Sequence, residues 1–143
     1  MRRVIVTGSR QWVDRITIWT ALNKELEMFG ALTLVHGGAA GADDIADRWA
    51  WGAHQAGRDI HVEVHRPDYV KYDKKTAPLI RNREMAELGA DVCYAFPLEG
   101  GTGTRHMMTQ AMLFGINVIN YGYGPYTIEA REYAKGLLRD AAI

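Results

Sequence analysis

Residues 3–10 read "RVIVTGSR". Val4, Ile5 and Val6 are β-branched and consecutive, and Thr7 leads straight into Gly8. A strand with one wet face alternates apolar and polar residues. An unbroken run is covered on both faces, which is the habit of parallel sheets with helices on either side. The same unit recurs down the chain: "ALTLVH" (31–36) runs into "GGAAGAD" (37–43), and "ADVCYAFP" (90–97) runs into "LEGGTGT" (98–104). "INVINY" (116–121) reads as a fifth strand. "DIHVEVHR" (59–66) alternates instead, which places it at an edge.

Helical spacing fills the intervals. Asp14 caps a segment carrying Val13, Ile16, Leu22, Leu26 and Phe29 that stops at Gly30. Ile45, Trp49 and Ala53 share a face of a second helix ending at Gly57. Pro78 opens a third, "PLIRNREMAELG", and Met107, Met108, Ala111 and Met112 mark a fourth. A last helix carries Tyr126, Tyr133, Ala134, Leu137 and Leu138. Strand–helix alternation with right-handed crossovers predicts an α/β fold. The expected architecture is a Rossmann-like three-layer sandwich around a five-stranded parallel sheet in the order 3-2-1-4-5. Residues 1–143 form one domain, a length that suits a single core.

Composition narrows the function classes. Lys plus Arg and Asp plus Glu both number 17, so no global basic field draws in nucleic acid. Cys93 is the only cysteine, which rules out a disulfide framework and fits a reducing compartment. No apolar run reaches membrane-spanning length, so the expected setting is the cytoplasm, away from membranes.

In a doubly wound sheet, ligands bind beyond the strand carboxyl ends where strand order reverses. Three glycine-bearing turns fall there: Gly8-Ser9-Arg10, the stretch holding Gly37, Gly38, Gly41 and Asp43, and the run Gly100 to Arg105. Glycines bare backbone amides, a helix start adds partial positive charge, and Thr102, Thr104, Arg10 and Arg105 add donors and cations. This chemistry suits the phosphate of a nucleotide-derived ligand. No lysine closes a glycine loop in the ATPase manner, and His36 stands where a dinucleotide fold would place an acid. Hydride transfer and ATP hydrolysis are therefore disfavoured, and no cofactor is assigned. His36 and His65 end neighbouring strands but lack a third ligand, so no metal is assigned either.

"VIVTGSR", "VHGGAAGAD", "RNREM" and "ADVCYAFPLEGGTGT", in that order, resemble the SLOG superfamily, which is named from DNA-processing protein A and the LOG hydrolases. The likeness is to its YspA-like, cpYpsA-related branch and spans residues 3 to about 121. It implies a sheet that binds nucleotides or their derivatives at the strand tips, and paired subunits. In the LOG enzymes an arginine and a glutamate cleave the N-glycosidic bond of a nucleoside monophosphate. Arg81 falls on that arginine, with Asn82 in place of the lysine after it. Gly100, Gly101, Gly103 and Thr104 fall on the phosphate loop, following an extra Leu98-Glu99. Met107 stands at the glutamate position, and methionine cannot stabilise a cationic sugar or orient water.

The expected function is accordingly a module that senses or sequesters a nucleotide-derived ligand, with Arg10, Arg81 and Arg105 as its cations. Two alternatives stand beside it. One is an N-glycosidase whose acid has moved to Glu99, Asp43 or Glu84. The other is a single-stranded DNA-binding factor using Tyr69, Lys71, Tyr72, Lys74 and Lys75, against which net neutrality argues. Trp12 is read either as a base-stacking platform or as packing, and His106 as a phosphate donor or an exposed histidine.

Overall fold

The structure is a computed structural model that describes residues 1–122. Five parallel strands, β1 (Arg2–Gly8), β2 (Ala31–His36), β3 (Asp59–Val64), β4 (Val92–Phe96) and β5 (Asn117–Asn120), pair in the order β3-β2-β1-β4-β5. This is the order expected from the sequence. Four helices, α1 (Arg15–Phe29), α2 (Ala42–Gln55), α3 (Ala77–Glu87) and α4 (Thr102–Leu113), complete the described chain. The helix read after residue 122 lies outside the described residues.

The apolar run of β1 divides by strand alternation. Val4 and Val6 join Leu22, Leu34, Trp49 and Phe96 in a core beneath α1 and α2. Ile5 points the other way and joins Val35, Met85, Cys93 and Met107 beneath α3 and α4. Val4, Ile5 and Val6 are all wholly buried, and each such side chain contributes about 1.5–3 kcal/mol. A layer of helices on each face follows from that.

Asp14 caps α1, accepting from the Thr17 amide at 3.2 Å, and Gly30 ends the helix with φ 79°. The buried stripe differs from the spacing read in the sequence. Ile18, Ala21, Leu22, Glu25 and Leu26 face the sheet, while Val13, Ile16 and Phe29 are exposed. Val13 precedes the cap, and Ile16 lies nearly opposite Ile18 on the helix. Glu25 is a buried acid, and its carboxylate accepts from Arg2 Nε and from the Tyr94 hydroxyl at 2.5 Å. Met112, assigned to the core by its spacing, is also exposed, whereas Met107, Met108 and Ala111 are buried.

On the other face Arg3 reaches over β2 to Glu63 and makes two hydrogen bonds of 2.9 and 3.0 Å. His65 adds a third at 2.6 Å. The Arg3 and His65 hydrogen bonds hold the Glu63 carboxyl at about 2, below its ordinary 4.5. A depressed carboxyl stabilises the fold above its unfolded pKa and loses that contribution as pH falls from 4.5 towards 2. Glu63→Gln is therefore expected to flatten the dependence of the urea midpoint on pH across that window. An unchanged slope would show that the cluster carries no acid sensitivity.

Candidate functional site

The turn after β1 is clamped on two sides. Ser9 N–H donates to the Phe96 carbonyl at 3.0 Å, and Ala42 N–H donates to the Ser9 carbonyl at 3.1 Å. The sequence had to leave these surfaces bare. A Cβ at Gly8 would overlap that of Ala42 and come within 2.9 Å of the Phe96 carbonyl. Gly41, at φ 73°, lies so close to the first turn that a Cβ would overlap the Ser9 and Arg10 carbonyls. These two glycines are there so that backbones can touch.

The loop after β2 is held from within. Asp43 turns its carboxylate back, so that Oδ2 accepts from Gly37 N–H at 3.1 Å and Ala39 N–H at 3.2 Å. The start of α2 is Gly41, with no side-chain cap. Asp44 faces out and pairs with Arg48 at 2.9 Å. His36 Nδ1 accepts from Gly38 N–H at 3.0 Å, which leaves Nε2–H to donate to Asp47 at 2.8 Å. Among the described residues no group of three or more His, Cys, Asp or Glu side chains could hold a metal ion.

The loop after β4 ends at α4, whose capping position is Gly101, with no side-chain cap and no acid in the first turn. Its leading amides and partial positive charge are left for an outside acceptor. Gly103 differs from Gly8 and Gly41, because a Cβ there would meet no atom within 4 Å.

The three turns meet around a cleft of about 330 Å³ at the carboxyl ends of β1 and β4. Gly8, Ser9, Arg10, Asp43, Arg81, Gly100, Gly101, Thr102, Gly103 and Thr104 line it. Four residues named from the sequence lie off the lining. Gly37 sits under the Arg81 guanidinium, Gly38 against Arg66, and Gly41 against the first turn. Arg105 is half-buried on the first turn of α4. Thr7, Gln11, Ala39, Pro78 and Asn82 line the cleft and were not singled out in the sequence as site residues. Gln11 could have been found as the continuation of the first turn, and Pro78 as the start of α3.

Arg81 and Arg83 part company as their spacing requires. Arg83 faces outward, 3.9 Å from Glu87. Arg81 Nη1 donates to the carbonyls of Gly37 at 2.6 Å and His65 at 3.1 Å, and Nε donates to Asn82 Oδ1 at 2.9 Å. Burial pulls its pKa down, Asp43 and Tyr69 pull it up, and nearby Arg10 pulls it down again. Burial raises the Asp43 carboxyl, against the pull of His36, Arg81 and its two amide donors. Burial thus disfavours the charged form of both groups. Asp43 is the one carboxylate lining the cleft, and Arg10 makes no ion pair among the described residues.

Asn82 couples the two helices that flank this charge. Its Nδ2 donates to the Gly103 carbonyl at 3.4 Å and to His106 Nδ1 at 3.2 Å. That fixes the neutral His106 tautomer with its proton on Nε2, in keeping with the downward push of burial on its pKa. Trp12 is buried, donates to the Asp14 carbonyl at 2.8 Å and packs edge-on to Phe96 at 5.4 Å. It is packing, not a stacking platform. Asp68 and Asp73 each accept two amides of the segment between β3 and α3, and Tyr69 in that segment is exposed. No residue from 66 to 76 lines the cleft.

A doubly wound parallel sheet with a cleft at its topological switch point, cationic and rimmed by glycine turns, defines a Rossmann-like α/β protein. Comparison with known sequences narrows the class. The family described as "YspA, cpYpsA-related SLOG family" matches residues 2–72, a stretch that holds the first two turns but neither Arg81 nor the third. Gene 61 protein of Mycobacterium phage D29 is 56% identical over 127 residues, covering 87% of this chain and 100% of that protein. The chain belongs to the YspA, cpYpsA-related SLOG family. No helix among the described residues is long and apolar enough to cross a membrane.

Proposed function

We propose that the chain senses or sequesters a nucleotide or nucleotide-derived ligand, with a phosphate held in the cleft. One observation carries this reading. The uncapped start of α4 faces the same 330 Å³ space as Arg81 and Arg10, and the single carboxylate there already accepts from two amides. A dianion would complete what the resident groups leave undone, through amides from Thr102 to Thr104, the Thr102 and Thr104 hydroxyls, and two guanidiniums. The family likeness adds support in the same direction.

Asp43 supports a second reading, nucleoside-monophosphate hydrolysis, because it is a carboxylate of raised pKa on the cleft wall. Incubation with nucleoside monophosphates separates the two, since release of free base would replace binding with catalysis.

Binding itself is tested by calorimetric titration with inorganic phosphate and a panel of nucleoside mono- and diphosphates. Gly103→Val is the informative variant. Its side chain enters open space on the cleft wall, and valine suits a helix slightly better than glycine. Thermal stability should hold or rise while affinity falls at least tenfold. No heat from any member of the panel, or equal affinity in the variant, would end the proposal.

A further inference from the structure

β3 is an edge strand of the described sheet. Among the described residues no strand pairs with its outer side, and between Asp59 and Val64 it carries no lysine, no proline and an unbroken six-residue register with β2. These are the devices by which exposed edges are usually guarded. His65 N–H donates inward to the His36 carbonyl. By alternation the odd residues of this strand therefore bond to β2, and Val62 and Val64 turn their backbone groups outward, as does Ile60, whose N–H donates to the Arg58 carbonyl at 3.1 Å and would exchange that acceptor for the Val64 carbonyl of a second copy. On the face under α2, Val62 is 39% exposed and Val64 40%, beside Trp51 at 59%.

The edge sequence, Asp59-Ile60-His61-Val62-Glu63-Val64-His65, is complementary to its own reverse. Consider a second copy running antiparallel, with the two-fold axis at Val62. Val62 meets Val62 and Ile60 meets Val64, so residues with outward backbone groups face one another, as a hydrogen-bonded ladder needs. On the opposite face His61 meets Glu63 and Asp59 meets His65, acid against imidazole at every pair. Sliding by one step in either direction ruins this. Centring on His61 sets Asp59 against Glu63, and centring on Glu63 sets Glu63 against itself, both like-charge pairs that destabilise. A foreign strand has no reason to match such a pattern; a second copy of this chain matches it throughout.

We propose that two copies of this chain associate through β3, antiparallel about Val62, into one continuous ten-stranded sheet. The two clefts then open at opposite ends of the dimer, because each lies at the strand carboxyl ends and the sheets run in opposite directions. Neither cleft is covered by the contact.

Sedimentation of the whole chain over a concentration series tests this. Dimer should form at high concentration and dissociate on dilution. Val62→Lys alters a part-exposed edge position without touching either core, and should raise the dimer dissociation constant at least tenfold with an unchanged melting temperature. Register is read by oxidation. Paired positions at the axis lie about 5.5 Å apart, within disulfide reach, so Val62→Cys should crosslink between copies. Val64→Cys should not, since two copies of Val64 lie four residues apart, about 13 Å. The native Cys93 is buried and does not compete. A chain monomeric throughout would overturn the proposal. So would a dimer indifferent to Val62→Lys, as pairing through the Trp19–Trp49 groove between α1 and α2 would give, or crosslinking at Val64 equal to that at Val62. The lysine variant should keep full nucleotide affinity, which separates this proposal from that for the cleft.

Discussion

Arg81→Ala should weaken binding of a phosphate-bearing ligand about 100-fold. A charge-assisted hydrogen bond contributes about 1.5–3 kcal/mol, and tenfold in affinity is about 1.4 kcal/mol. The side chain is also a strut, because Nη1 joins the loop after β2 to the end of β3 through the Gly37 and His65 carbonyls. Its loss leaves those acceptors without this donor and removes an opposing charge that acts on Asp43, so some stability goes with the affinity. Arg81→Lys separates the two roles. Lysine restores the charge but lacks the planar fork that serves two carbonyls and an anion together, so affinity should recover only in part. Titration calorimetry beside a urea melt reads both quantities. Full affinity in the alanine variant would reduce Arg81 to a structural brace.

Gly41→Ala should destabilise the fold by about 3 kcal/mol or prevent folding. A non-glycine residue at positive φ costs about 1–3 kcal/mol, and Gly41 stands at 73°. Crowding in a packed setting adds about 1–3 kcal/mol. Here the obstacles are the Ser9 and Arg10 carbonyls, which cannot swing away as a flexible side chain would. Urea unfolding measures the effect, and a loss below about 1 kcal/mol would mean that the first two turns can separate. Gly103 makes the opposite case on the same rim, open to added bulk, because nothing faces it.

These two glycines show how far the sequence could be read. Each was legible as a turn glycine near a strand end, and their convergence followed from strand order. Which of them answers to packing and which to a guest was not legible, because that depends on what lies across the gap. The unbroken Val4–Val6 run gave the sheet directly, since only a strand covered on both faces tolerates it. The α1 stripe was misread at Ile16 and Phe29, where apolar residues stand on a wet face and spacing alone cannot tell the sides apart. Asp43 reads in the sequence as part of a ligand-facing turn, yet its carboxylate bonds to Gly37 and Ala39, a contact only the folded loop reveals. Asn82 stood out merely as a departure from a family motif. Its reach to Gly103 and His106, more than twenty residues on, has no signature along the chain.

Arg81 bound to two carbonyls, Asp43 to two amides, and Asp68 and Asp73 lacing the segment beside them share a consequence for selectivity. A cradle finished before its occupant arrives spends little conformational entropy on closing, so more of the attraction remains as affinity. It also cannot reshape itself around a poor match. On the proposed reading, such a cleft would discriminate by fit, favouring the anion whose outline agrees with its own.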